Sequence, residues 1–267
     1  MEKPRLARID IFPIKAMDGV SVMQARISSA GTLVMDREFG IVDSHQQWIN
    51  GKRSSAIHRV RATFDLDERK VTLGIHNRPD TATFSLDYGH DRLVTWLGRY
   101  LQQSVQLRQC KVGSFSDDLR ASGPTIISTA TLEAVAGWFP HLSVDELRRR
   151  FRTNLEIDGV PAFWEDRLYG APGEMIPFTI GSVEFLGCYP CQRCVVPTRN
   201  SYTGDGDRQF QKILAKQRED NLPGWANAAQ FKHYFRLAVN TKIPAPLDDV
   251  WLTVGDRLTL PSNPSDN

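Results

Sequence analysis

The chain lacks an excess of charge of either sign: 33 lysines and arginines stand against 31 aspartates and glutamates, a net of +2. That balance excludes the bulk attraction by which polybasic proteins hold nucleic acid or anionic membranes, so any anion site must be a local cluster. It also lacks a long apolar run. Nothing approaches the ~20 residues a membrane helix needs, and the opening Met1-Glu2-Lys3-Pro4-Arg5 leads into alternating charges rather than an apolar signal core. Cysteine is scarce, four in 267 residues, with three of them crowded into seven positions. That usage argues against a secreted disulfide framework and favours a reducing cytoplasm. No second Cys-x2-Cys pair or His-x3-His follows at finger spacing, and no internal repeat or heptad is visible.

What is present is an ordinary globular composition, 41% hydrophobic, long enough for one large β-rich domain or two smaller ones. Apolar and charged residues alternate from Arg5 to Ile14, which predicts a strand ending at Lys15. Asp36 to Val42 predicts a second strand, turning through Asp43-Ser44-His45-Gln46 into Trp48-Ile49, followed by a cationic turn, Asn50-Gly51-Lys52-Arg53. Alternation resumes at Val60 to Leu66 and Val71 to Ile75. Leu93, Trp96, Leu97, Tyr100 and Leu101 fall on one helical face, with Val105 to Leu107 as the next strand.

Residues 112 to 123 read as an exposed connection, Pro124 to Ile127 as a strand, and Ser128 or Thr129 as the cap of a helix bearing Leu132, Val135 and Phe139. Ser143 with Glu146 forms a capping-box signature opening a helix toward Phe151. Its Arg148, Arg149 and Arg150 read as a solvated face, whereas Arg152 and Asn154, entering the strand Leu155 to Ile157, share one face as donors for an anion. Phe178 to Phe185 is a hairpin delivering the cysteine stretch, Phe210, Ile213 and Leu214 a last helix, and Phe235 to Val239 with Trp251 to Leu260 the closing strands.

The densest chemistry is Cys188-Tyr189-Pro190-Cys191-Gln192-Arg193-Cys194. Arg193 supplies a positive charge that favours a neighbouring thiolate, making Cys194 the first candidate for a metal-bound or reactive sulfur. Three readings stay open on spacing alone. The cysteines could hold corners of an iron–sulfur cluster with Cys110 as a remote fourth ligand. They could be half of a zinc site, or one cysteine could ligate a soft metal carried by an organic cofactor while the others are buried apolar residues.

Phe12-Pro13-Ile14-Lys15-Ala16, Asp36-Arg37-Glu38-Phe39, Gly51-Lys52-Arg53, Phe151-Arg152-Thr153-Asn154, Cys191-Gln192-Arg193-Cys194 and Val254-Gly255-Asp256 occur in an order that resembles the MOSC-domain family. The resemblance is to the group with an N-terminal MOSC-associated β domain, which includes the mitochondrial amidoxime-reducing component and bacterial relatives. It implies a mixed, β-rich α+β fold: an N-terminal antiparallel β domain (1–108) packed on a MOSC β-barrel domain (109–263) with peripheral helices, then a polar tail (264–267). It also implies the molybdenum cofactor, a molybdopterin, with Cys194 as metal ligand. The cofactor-binding set it implies is Lys15, Arg37, Lys52, Arg53, Ser128, Thr129, Arg152, Asn154 and Arg193. Ala16 and Thr153 depart from the family's Ser and Pro, removing a hydroxyl donor and loosening a turn, and His233 is a candidate cavity residue.

The implied activity is reduction of N-hydroxylated compounds such as amidoximes, hydroxamic acids and hydroxylated nucleobases. No plant-type Cys-x4-Cys-x2-Cys run follows, so electrons are expected from a separate ferredoxin, cytochrome b5-like or flavoprotein reductase. Neither nucleic acid nor membrane is an expected partner. A different class of function, a sulfur carrier or cofactor-binding module with a persulfide on Cys194, stands as the alternative, with an iron–sulfur protein third.

Overall fold

A computed structural model of the chain describes residues 3–244 and 249–261; the tail 264–267 and the expected domain end at 263 lie outside the described residues. The strands are β1 (Arg5–Ile11), β2 (Val20–Val22), β3 (Gln24–Arg26), β4 (Phe39–Asp43), β5 (Val60–Asp65), β6 (Lys70–Ile75), β7 (Thr81–Ser85), β8 (Val105–Gln109), β9 (Ile126–Ser128), β10 (Leu155–Asp158), β11 (Ile176–Ile180), β12 (Val183–Gln192), β13 (Arg236–Lys242), β14 (Trp251–Thr253) and β15 (Leu258–Thr259). The helices are α1 (His90–Leu101), α2 (Thr129–Gly137), α3 (Val144–Phe151) and α4 (Phe210–Asp220). This is the expected β-rich α+β fold. Among the described residues no helix is long and apolar enough to cross a membrane.

Eight strands form one sheet in the order β15-β11-β12-β13-β9-β10-β1-β2. Among the described strands only β9 and β10 pair in parallel, because α2 and α3 lie between them and supply the crossover that parallel strands require. Hydrogen bonding crosses the sequence boundary expected at 108: β1 and β2 belong to this sheet, and β3 pairs with β14. β1 also breaks strict alternation, since Leu6 and Ile9 are both fully buried. Its register against β10 shifts between Leu6 and Arg8, and that irregularity turns both side chains inward.

The N-terminal portion adds the three-stranded sheet β5-β6-β7 and the pair β4-β8. Around them Ile14, Phe39, Ile41, Val71 and Leu73 pack with Leu93 and Leu97 of α1 into one core. Each such side chain contributes roughly 1.5–3 kcal/mol on burial. β4 begins only at Phe39, and the expected hairpin partner shrinks to a single bridge, Val42 to Trp48. Asp36 and Arg37 sit in the turn before it, with Arg37 in the left-handed region at φ 51°. Another core joins α2, α3 and α4 to the large sheet through Leu132, Phe139, Leu147, Phe151, Phe210 and Leu237.

Both expected caps form: Ser128 Oγ accepts from Thr131 N and Ser143 Oγ from Glu146 N, each at 3.1 Å. The reciprocal half of the capping box does not, because the Glu146 carboxylate accepts instead from Arg150 Nε at 2.8 Å and Ser201 Oγ at 2.6 Å. The arginine run is therefore not a solvated face. Arg150 is only 4% exposed, and Arg148 is drawn against Glu156 at 2.7 Å. The buried carboxylates of Glu146 on α3 and Glu156 on β10 hold these side chains.

β12 crosses the 3-10 helix Trp164–Leu168 so closely that a Cβ at Gly187 would stand 1.6 Å from the Leu168 carbonyl oxygen. Gly187→Ala is expected to cost about 3 kcal/mol, the upper end of overpacking, and to lower the melting temperature by ~10 °C. Gly137→Ala, where an added Cβ meets nothing within 4 Å, should leave it unchanged or higher. Calorimetric melts of the two variants check this.

Candidate functional site

The site starts where β1 ends. The backbone N–H of Phe12 donates to Asp36 Oδ1 at 2.9 Å, fixing the turn that carries Arg37. Arg37 pairs with Asp36 and reaches across to Asn154 Oδ1 at 3.3 Å and to the Arg152 carbonyl at 3.2 Å. Asn154, 3% exposed, completes the tie by donating from Nδ2 to the Asp10 carbonyl at 3.1 Å. Arg152 is the C-cap of α3, left-handed at φ 53°, rather than a residue on a strand face. That backbone turn throws its guanidinium 4.2 Å over the Phe12 ring, which Arg37 shares at 5.1 Å. Burial, with the nearby charge of Arg37, pushes the Arg152 pKa down to about 10.

A second group of cations lies opposite. Lys15 Nζ donates to the Phe115 carbonyl at 2.7 Å and to Asp117, whose other oxygen receives Lys52 Nζ at 3.1 Å. Burial holds Lys15 below the usual lysine range despite Asp117. For Lys52 burial acts in the same direction but is outweighed by Asp117, with the Cys194 sulfur adding to it, so its ammonium is favoured. Lys52 thus adds positive charge to the cavity that Cys194 also lines.

β12 carries Cys188 and Cys191 and delivers Cys194 just past its end. Arg193 pins that end, its backbone N–H donating to Phe235 O at 3.1 Å and its side chain to Leu237 O and Phe151 O, both at 3.0 Å. The three sulfurs diverge. Cys188 is buried and donates to Leu186 O at 3.5 Å, and burial raises its pKa. Cys110 donates to Val112 O at 3.0 Å, and neither of these two lines the cavity that Cys191 and Cys194 line. Among the described residues no three His, Cys, Asp or Glu side chains gather as a metal-ligand set.

These parts enclose a cavity of about 710 Å³ lined by eleven lysines and arginines against four aspartates. The near-neutral chain concentrates its positive charge here. Four of the lining arginines carry a buried N–H with no partner: Arg152 Nη2, Arg193 Nη2, Arg199 Nε and Arg236 Nε. Each unpaired buried donor costs on the order of 1–3 kcal/mol. Four around one cavity define a seat for a multiply charged anion.

Of the residues expected from sequence, Lys15, Arg37, Lys52, Arg152, Asn154, Arg193 and Cys194 line this cavity. Arg53 does not; it turns outward to Asp43 at 3.2 Å and the Trp48 carbonyl at 3.4 Å. Ser128 and Thr129 are also elsewhere. Ser128 is fully buried and donates to Glu165 at 2.8 Å, and Thr129 donates to Glu156 at 2.8 Å. As cap and first residue of α2, they turn their hydroxyls to buried carboxylates. His233 is exposed and outside the cavity. Sequence reasoning missed His58, Arg61, Arg149, Arg199 and Arg236, all of which line it. Arg199, five residues beyond Cys194 and just past a proline turn, carried a local signal; Arg236 is placed by strand register against Gln192, which no local pattern shows.

A β-rich fold with a cationic cavity lined by Cys191 and Cys194 defines a class, a binder of anionic ligands with cysteine sulfur at hand. Residues 3–142 match the MOSC N-terminal beta barrel domain and residues 124–259 the MOSC domain. The chain belongs to the MOSC-domain family. Curated relatives include the molybdenum cofactor sulfurases of Drosophila melanogaster, 25% identical over 252 residues, and Drosophila erecta, 26% identical over 256 residues. Each alignment covers 82% of this chain but 31% of the relative, so the chain spans about a third of those proteins. The YUAD protein from Bacillus subtilis aligns over 97% of both chains at 12% identity with a TM-score of 0.38, a superposition too loose to carry weight.

Partial burial would raise the Asp117 pKa, yet Lys15 and Lys52 outweigh it and hold the carboxyl at about 2. Its folded value lies below the ordinary unfolded value of about 3.9, so its ion pairs add stability above about pH 4 that is lost as pH falls through 2. The side chain is 60% exposed, so screening limits the effect to under about 1 kcal/mol. The melting temperatures of wild type and Asp117→Asn should differ at pH 5 and converge near pH 2. A constant gap across that range would contradict the pairing.

Proposed function

We propose that the chain binds the molybdenum cofactor in this cavity, with Cys194 as the protein's ligand to the metal, and reduces N-hydroxylated compounds. The observation that carries the reading is the set of four unpaired guanidinium N–H groups around a cavity that also presents Cys194. A phosphorylated pterin bearing a dithiolene-bound metal requires cations for its phosphate, a soft thiolate for the metal and polar edges for the ring. Arg152, Arg37 and Asn154 suit the phosphate, Cys194 the metal, and Gln192, Asn240 and Ser122 the pterin edges.

When bound, the cofactor supplies oxygen-atom removal coupled to two electrons; overall, two protons and two electrons convert N–OH to N–H and water. The chain's own residues bind, orient and exclude water. The segment carrying Asp118 is pinned over the cavity, because Tyr189 Oη donates to Asp118 Oδ2 at 2.8 Å and Asn240 Nδ2 to the same oxygen at 3.1 Å. The electrons come from a separate redox protein, a ferredoxin, cytochrome b5-like protein or flavoprotein reductase.

A second reading is sulfur transfer, with a persulfide on Cys194, and it is favoured by the curated relatives being molybdenum cofactor sulfurases. Molybdenum near one per chain with N-hydroxyl reduction supports the first reading; cyanide-labile sulfur without metal supports the second. Under the first, Cys194→Ala abolishes reduction while Cys188→Ala, outside the cavity, largely spares it. Arg152→Gln should weaken cofactor retention about ten- to hundredfold, the worth of hydrogen bonds to a charged group, measured as molybdenum left after dialysis. Full activity in Cys194→Ala would end this assignment.

A further inference from the structure

The cationic wall extends past the residues assigned to a single phosphate. Beyond Arg152 lie His58, from the 3-10 helix Ala56–Arg59, and Arg199, which follows the 3-10 helix Val196–Thr198. His58 marks where the guanidinium groups converge. Burial above all, with the charges of Arg199, Arg152 and Arg61 added, holds its imidazole below the usual range. The His58 ring lies against Gly51, where an added Cβ would come within 2.6 Å of Nε2 and 3.2 Å of Val196. That contact sets His58 one residue from Lys52, which lines the same cavity as Cys194.

Behind this group stands a fixed backing. Arg61 and Arg149 lie over the Tyr202 ring, at 4.6 and 4.7 Å. Each is already matched by a carboxylate, Arg61 by Asp18 at 2.7 Å and Arg149 by Glu146 at 3.1 Å. Arg37 is likewise matched by Asp36, and Lys15 and Lys52 by Asp117. Arg199 differs: its Nη1 donates only to a neutral carbonyl, Gly204 O at 3.0 Å, and its Nε is buried without a partner, as is His58 Nε2. Arg152, its own Nη2 unpaired, thus lines the cavity together with Arg37 and Asn154, whose side chains already hold protein partners, and with His58 and Arg199, each of which carries a nitrogen without one.

We propose that the cavity holds a diphosphate rather than a single phosphate, Arg152 being shared between a first phosphoryl seat at Arg37 and Asn154 and a second at His58 and Arg199. This rests on the reading of the cavity as the seat of a phosphorylated cofactor and adds a ligand class to it. The diphosphate is either the linkage of a nucleotide form of the cofactor or part of a nucleoside diphosphate that enters as substrate.

Full-length protein from a host unable to make molybdopterin is titrated calorimetrically with inorganic pyrophosphate and with inorganic phosphate. Pyrophosphate is expected to bind at least about tenfold more tightly, as one added set of charge-assisted hydrogen bonds allows. Arg199→Gln and, separately, His58→Gln should erase that preference while changing phosphate affinity less than about twofold. Equal affinities in wild type, or an unchanged preference in both variants with native melting curves, would overturn the proposal. The source is read on molybdenum-loaded protein after acid release: one nucleoside monophosphate per metal identifies the cofactor's own linkage, and metal without nucleotide identifies the substrate. Metal loading without any pyrophosphate preference removes this inference alone, whereas failure to load metal removes the reading beneath it.

Discussion

The structure depends on keeping like charges buried together without neutralising them. Arg152 lies 4.2 Å from the Phe12 ring centre and Arg37, itself paired with Asp36, lies 5.1 Å from it, and the ring's quadrupole favours both cations there. Arg193 sits similarly over Phe151 at 5.1 Å. Carboxylates within reach would remove the positive potential on which anion binding depends. The hydrogen bonds that Arg152, Arg193, Arg199 and Arg236 make run instead to main-chain carbonyls or a side-chain amide, neutral acceptors that orient a guanidinium without cancelling its charge.

That arrangement needs the two halves of the chain locked in register. The Asp36, Arg37 and Asn154 bonds join the start of the chain to the entry of β10, and pairing of β1 with β10 does the same along the backbone. Lys15 and Lys52, from the N-terminal portion, meet Asp117 in the connection between the two portions. The cavity is thus a product of the interface between the portions. Each supplies one wall, which explains why its cations are so widely spaced in sequence.

Much of this was legible before the fold was known, and the failures have particular causes. Lys15, Arg37, Asn154 and Cys194 stood out because they fall in the short motifs that carry the family resemblance. Arg53 was misplaced because adjacency to Lys52 says nothing of direction, and in a tight turn successive side chains diverge. Ser128 and Thr129 read as donors at a helix start, but which side of the helix faces the cavity depends on the buried Glu165 and Glu156. The arginine run read as solvated for the same reason: its partners, Glu146 and Glu156, are buried by elements distant in sequence. Arg199 and Arg236 enter the cavity only through tertiary register, and the parity break in β1 follows from an irregularity that no period-2 pattern reports.

The central claim is that the sulfur of Cys194, and no other in the chain, binds the metal of a phosphorylated cofactor seated among these arginines. X-ray absorption at the molybdenum edge of loaded wild type and Cys194→Ser tests it most directly. The account predicts one sulfur ligand fewer in the variant, replaced by oxygen, with the sulfurs of the cofactor itself unchanged. Identical sulfur coordination in the two proteins would contradict it.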